Sequence, residues 1–158
     1  MSTALFSKKK AQTPHEKALV DLNEFNTSFV SYMEENIKMI PDDNDLPLYL
    51  TMVNLALMAR KTLVIKLFAK YVLPFKDNIE KRDEKYFLQD LKYDQVLAKR
   101  DEEEEKNMKT SDVLLKVLSF KKRWNTLNEE QKDYNFKMMK YLCYYAEKYD
   151  QEYRSLLG

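Results

Sequence analysis

The chain has 158 residues, 44% of them apolar and 34% charged, with a net charge of +1. That is long enough for one domain with a real core and too apolar for a disordered chain. The charge is too balanced for a whole-protein attraction to nucleic acid or membrane. Its only glycine is Gly158 and its only cysteine is Cys143. These counts exclude glycine-rich phosphate loops, dinucleotide fingerprints and an internal disulfide. Sheets need glycine in hairpins and bulges, whereas helices do best without it. The composition therefore predicts an all-α, single-domain bundle of four to five helices.

Residues 1–12, with Lys8, Lys9 and Lys10, read as a disordered basic tail lacking the apolar run of a signal peptide. Together with the lone cysteine this predicts an intracellular, reducing location. The helical domain spans 13–158. Thr13, Pro14 and Glu16 make a helix start. Leu19, Leu22, Phe25, Phe29, Met33, Ile37 and Ile40 then recur at steps of three and four, as one face of a long helix that Pro41 ends.

Asp45 is positioned to cap a second helix running from Leu46 to Val72, the most apolar part of the chain. A helix apolar around most of its circumference is expected to be buried, so this one is predicted to be the central element. Arg60, Lys61, Lys66 and Lys70 interrupt it too often for a membrane span. Pro74 ends it, and a short helix to about Arg82 leads into a partly ordered connection through Ala98. Asp101 to Glu105 reads as a solvated charge run.

Thr110 or Ser111 starts a further helix carrying Val113, Leu114, Val117, Leu118 and Phe120 toward Trp124. A capping box, either Thr126 with Glu129 or Asn128 with Gln131, opens the last helix. At 100° per residue, Tyr134, Met138, Tyr141, Leu142, Tyr145, Tyr149, Tyr153 and Leu156 share one third of its circumference.

Charge is uneven along the chain. Pro14 to Asp45 is mainly acidic, while Leu46 to Lys76 carries Arg60, Lys61, Lys66, Lys70 and Lys76 and no acidic residue. Two helices of opposite sign are expected to pair, with an effect on register more than on stability.

No catalytic or metal site is expected. His15, the only histidine, sits in a helix's first turn without an orienting partner in sequence. Cys143 lacks neighbours that would make it a thiolate, and is expected to lie less deep than the tyrosines. The acidic run lacks the alternating ligands and glycine of a calcium loop. Glu34 with Glu35, or Asp83 with Glu84, has no histidine at helical spacing to complete a carboxylate site. No cofactor or small-molecule substrate is indicated.

Two surfaces remain. Eleven tyrosines and eight methionines in so short a chain suit an interface that is apolar in body and wet at its edge. Tyr141, Tyr145 and Tyr149 are the candidate protein-binding residues. Lys116, Lys121, Lys122, Arg123 and Trp124 form the alternative, a cationic cluster beside an aromatic of the kind that holds single-stranded nucleic acid. The competing reading has those cations at a helix C-terminus and Trp124 packed inward.

The stretch Ile79-Glu80-Lys81-Arg82-Asp83-Glu84-Lys85-Tyr86-Phe87-Leu88 is followed by Leu114-Leu115-Lys116. Then come Trp124-Asn125-Thr126-Leu127, Glu130, Lys132, Met139 and Tyr141-Leu142. In this order they resemble short helical proteins of nucleocytoplasmic large DNA viruses. The resemblance covers the second half of the chain. It implies a viral origin and a place in the particle or in the virus factory and cytoplasm of an infected cell, and it brings no catalytic or binding residue. The expectation is a non-enzymatic interaction or structural protein whose partner is another protein or a second copy of itself.

Overall fold

The computed structural model describes residues 12–91, Gln95 and residues 123–158. The basic tail at residues 1–11, the acidic run Asp101 to Glu105, the helix expected from Thr110 or Ser111 to Phe120, and Lys116, Lys121 and Lys122 lie outside the described residues. What is described is helical, with no strand. The α-helices are α1 (Pro14–Met39), α2 (Asp45–Ala59), α3 (Leu63–Tyr71), α4 (Lys76–Glu80), α5 (Glu129–Lys148) and α6 (Arg154–Leu157).

α1 starts where its sequence says it should. The Glu16 amide donates to Thr13 Oγ1 at 3.1 Å and Pro14 fills the first turn, which satisfies one of the amides a helix start leaves open. Ala18, Leu22, Phe25, Phe29, Tyr32 and Met33 are buried along one face. Ile40 ends the helix ahead of Pro41. The turn that follows is held by Asp43, whose Oδ1 accepts from the amides of Asp45 (3.0 Å) and Leu46 (3.3 Å). Asp43 therefore does the capping expected of Asp45, which lies inside the first turn of α2.

The long central helix expected from Leu46 to Val72 is two helices. The chain breaks at Arg60, whose backbone is extended, and α2 and α3 meet at 117°. Only α3 is central: Val64, Ile65, Leu67, Phe68, Ala69 and Tyr71 are all buried. α2 buries Leu46, Val53 and Ala56 and leaves its other side outside. No single described helix is long and apolar enough to cross a membrane.

Beyond α3, a 3-10 turn at Leu73–Phe75 carries Pro74 and leads directly into α4. Two residues past the end of α4, Arg82 takes a left-handed φ of 53°. A side chain with a Cβ adopts that conformation at a cost of roughly 1 kcal/mol. Arg82 is held there by an ion pair to Asp133 and by its guanidinium lying 5.2 Å from the Phe136 ring. A π-helical turn at Tyr86–Asp90 then seats Phe87 in the core.

Asn128 and Gln131 form the reciprocal capping box of α5, at 2.8 and 3.0 Å. This settles the two sequence alternatives in favour of the second. α5 runs antiparallel to α1, since Tyr32 meets Asn135 near one end and Asp21 meets Tyr153 near the other. A π-helical turn at Tyr149–Tyr153 joins it to α6.

The core lies among α1, α3 and α5. Phe25 packs edge-on to Phe68 at 5.4 Å, and Phe29 meets the same ring at 6.3 Å. One polar pair sits inside it. Tyr32 Oη donates to Asn135 Oδ1 at 2.7 Å, and Asn135 Nδ2 donates to the Gln131 carbonyl at 2.9 Å. Both side chains are almost wholly buried, so each group depends on its partner in the low-dielectric interior.

Replacing Asn135 with Ala strands the Tyr32 hydroxyl and is expected to cost about 2 kcal/mol. The double variant Tyr32→Phe with Asn135→Leu removes both polar groups and is expected to recover part of that loss. Urea unfolding followed by circular dichroism reads both.

Candidate interaction surface

The tyrosines of α5 do not act as one surface. Its buried face is Asn135, Phe136, Met139, Leu142, Cys143 and Ala146, continued by Tyr149 and Tyr153. Tyr149 is 0% exposed, which removes it from any binding surface. Tyr145 is half-buried, and Tyr141 and Tyr144 are exposed. The expected seam was turned away from the true one because Asn135, Cys143 and Ala146 carry much of the contact, and none of them advertises burial as a large side chain does.

The exposed rings cluster. Tyr141 meets Tyr145 at 5.2 Å and Tyr144 meets Tyr145 at 5.1 Å, both edge-on. Tyr141 Oη donates to Glu24 Oε1 at 2.6 Å, and this hydrogen bond to a carboxylate raises the hydroxyl's pKa above its ordinary value. Beside it, Asp21 accepts from Tyr153 Oη and pairs with Lys148 at 3.7 Å. The polar ends of these tyrosines thus fasten α5 and its extension to α1.

The described members of the basic cluster are also turned to internal use. Trp124 is 2% exposed and packs edge-on against Phe136 at 5.3 Å. It offers no face on which a base could stack. This is a correction to the nucleic-acid reading, and its cause is that the indole is worth more to the core than to solvent. The Arg123 guanidinium is mostly buried, paired with Asp43 and 5.9 Å from the Tyr49 ring. Burial works against the charge on Asp43. The hydrogen bond and charge of Arg123, with the two backbone donors of the α2 turn, outweigh it and hold the carboxyl below its ordinary value.

Cys143 is 1% exposed, deeper than Tyr141 and contrary to expectation. Burial pushes its thiol up to about 12, so the thiolate that nucleophilic chemistry needs is scarce at neutral pH. His15 is exposed on the first turn of α1. Among the described residues no group of three or more His, Cys, Asp or Glu is placed to hold a metal ion. A cavity beside Tyr32, Asn36, Arg123 and Asn135 has a volume of about 20 Å³, room for a single water and far below a small-molecule site.

The surface that the sequence reading missed is the outer side of α2. Leu48, Leu55 and Met58 are 57%, 60% and 83% exposed. With Thr51 they lie within about 80° of helix circumference, opposite buried Leu46, Val53 and Ala56. The Thr51 hydroxyl donates to the Pro47 carbonyl at 3.1 Å, so its polar hydrogen is used within the helix. From Leu46 to Ala59 the sequence has no charged residue. Apolar residues exposed singly are ordinary; here three stand exposed on one side of one helix. The signal was present in the sequence as a stretch apolar on every side.

No protein-family model, curated protein or solved structure matches this chain.

The Tyr149 hydroxyl is buried and has no hydrogen-bond partner among the described residues. Tyr149→Phe is therefore expected to keep or raise stability, by up to about 1 kcal/mol, because it removes an uncompensated desolvation. Tyr149→Ser is expected to cost at least about 3 kcal/mol through the cavity it leaves. Thermal denaturation of the two variants distinguishes this core placement from a surface one.

Proposed function

We propose that this chain is a non-enzymatic interaction protein that presents an apolar helical face to a protein partner or to a second copy of itself. The observation that carries this reading is the outer stripe of α2, with Leu48, Leu55 and Met58 exposed together on one helix. Covering each such side chain is worth on the order of 1 kcal/mol or more. The stripe is displayed on a firm base, because the opposite side of α2 is seated in the core at Leu46, Val53 and Ala56.

The candidate chemical groups support the same direction. Cys143 is buried and its thiol is held protonated. His15 stands at an exposed helix start, and reaction chemistry needs such a base oriented by a further group. Tyr141, Tyr144 and Tyr145 form an aromatic edge that suits the rim of an interface. The viral setting implied by the residue resemblance belongs to this proposal too, in the particle or in the cytoplasm or virus factory of an infected cell.

The test is the double substitution Leu55→Glu with Met58→Glu. Both residues face solvent, so thermal stability is expected to stay within about 0.5 kcal/mol of the parent. Association, measured as self-association in sedimentation velocity and as quantitative affinity capture against the parent chain, is expected to be lost. A variant that folds and associates like the parent would refute the reading.

A further inference from the structure

We infer that the bend after α2 forms one wall of a binding cleft for a small amphipathic anion, an oxyanion head on a single apolar chain. The inference is independent of the outer face of α2. Three segments far apart in the sequence meet at the cleft: the start of α1, residues 60–62 between α2 and α3, and the C-terminal residues 156–158. The space they enclose is open to solvent and has a volume of about 510 Å³. That falls within the range of about 300–1,000 Å³ usual for small-molecule sites.

The bend is anchored from within the chain. Asn26 Nδ2 donates to the Lys61 carbonyl at 3.0 Å and ties the bend to α1, while the Arg60 amide donates to the Ala56 carbonyl at 2.9 Å. His15, Leu19, Leu22 and Asn26 follow one another at steps of four, three and four. One face of α1 therefore presents an imidazole, two leucines and the anchor in turn.

The lining combines two chemistries. Arg60 and Lys61, both exposed, bring positive charge, and His15 joins them from the first turn of α1. Thr62 is 8% exposed, and its side chain makes no capping hydrogen bond to α3, the helix it precedes. The start of that helix adds to the positive potential. No acidic side chain lines the cleft, and a terminal carboxylate at Gly158 would still leave the cations in excess. The apolar part comes from Leu19, Leu22, Leu156 and Leu157, of which Leu156 is 40% exposed. A bare anion would leave these leucines wet. A neutral hydrocarbon would desolvate the cations without a partner. A ligand carrying both parts satisfies both.

The experiment titrates the full-length chain, labelled at its leucine methyls, with decanoate below its micellar concentration and follows the NMR spectrum. Saturable shifts are expected at Leu19, Leu22, Leu156 and Leu157, with Leu48 and Leu55 on the outer face of α2 unmoved. Decanol and acetate, each lacking one half of the ligand, are expected to bind at least about tenfold more weakly. Lys61→Glu leaves the backbone anchor to Asn26 in place and is expected to weaken decanoate about tenfold, whereas Lys61→Arg retains it. Circular dichroism checks that both variants fold like the parent. Shifts as large at Leu48 and Leu55 would show adsorption to any apolar surface and overturn the site. Equal affinity for decanoate and decanol, or a Lys61→Glu variant that binds like the parent, would also overturn it. A chain that ignores decanoate but floats with phosphatidylglycerol vesicles would overturn the free amphiphile in favour of a membrane surface.

Discussion

The break at Arg60 is the feature on which the rest of the architecture turns. The residues from Leu46 to Val72 are apolar on nearly every side, and a straight helix of that length would need partners all around it. By turning through 117° after Ala59, the chain puts the second half, α3, wholly into the core and lays the first half across its surface. One face of α2 is then satisfied and the other is not. The exposed stripe is a consequence of where the chain bends, and the interaction reading follows from it.

Around α3 the other helices are tied by polar contacts between distant parts of the chain. Asp43 holds Arg123 and caps α2 in the same turn, so the entry to α2 and the approach to α5 are fixed by one carboxylate. Glu24 and Asp21 on α1 receive the hydroxyls of Tyr141 and Tyr153, while Lys76 bridges α4 to Glu147 on α5 at 2.8 Å. Exposed pairs of this kind contribute little to stability. The partly buried ones, and the Tyr32–Asn135 pair inside the core, have more to say about register. Sliding α5 along α1 would strand each of them.

Much of the fold could be read from residue order alone. The stripe of α1 and its Thr13-Pro14 start, the stop at Pro41 and the α5 capping box rest on short-range rules, and local rules survive folding. The inward packing of Trp124 was one of two readings that the sequence left open. What could not be read depends on three-dimensional competition. Apolar residues on all sides of α2 and α3 signal burial, yet only tertiary packing decides which half receives it, and nothing at Arg60 marks a sharp break as Pro74 does. Likewise α5 offers two overlapping stripes. The one rich in tyrosine looks stronger, while the one that packs includes Cys143, Ala146 and Asn135, all almost wholly buried. Tyr149 belongs to the core and Tyr141 to the surface, a difference that helical periodicity alone does not resolve at the edge of a stripe.

The central claim is that the outer face of α2 is open in the single chain and is the face that associates. The most direct measurement is the methyl NMR spectrum of the chain labelled at its methionines, recorded over a dilution series with and without a soluble paramagnetic agent. Met58 is 83% exposed, whereas Met33 and Met139 are 1% and 2% exposed. The Met58 signal is expected to broaden strongly with the agent at low concentration and to shift and gain protection as concentration rises, while Met33 and Met139 stay unmoved. A Met58 methyl shielded even at the lowest concentration would contradict the account, whereas one open but indifferent to concentration would remove the second copy and leave a protein partner as the occupant.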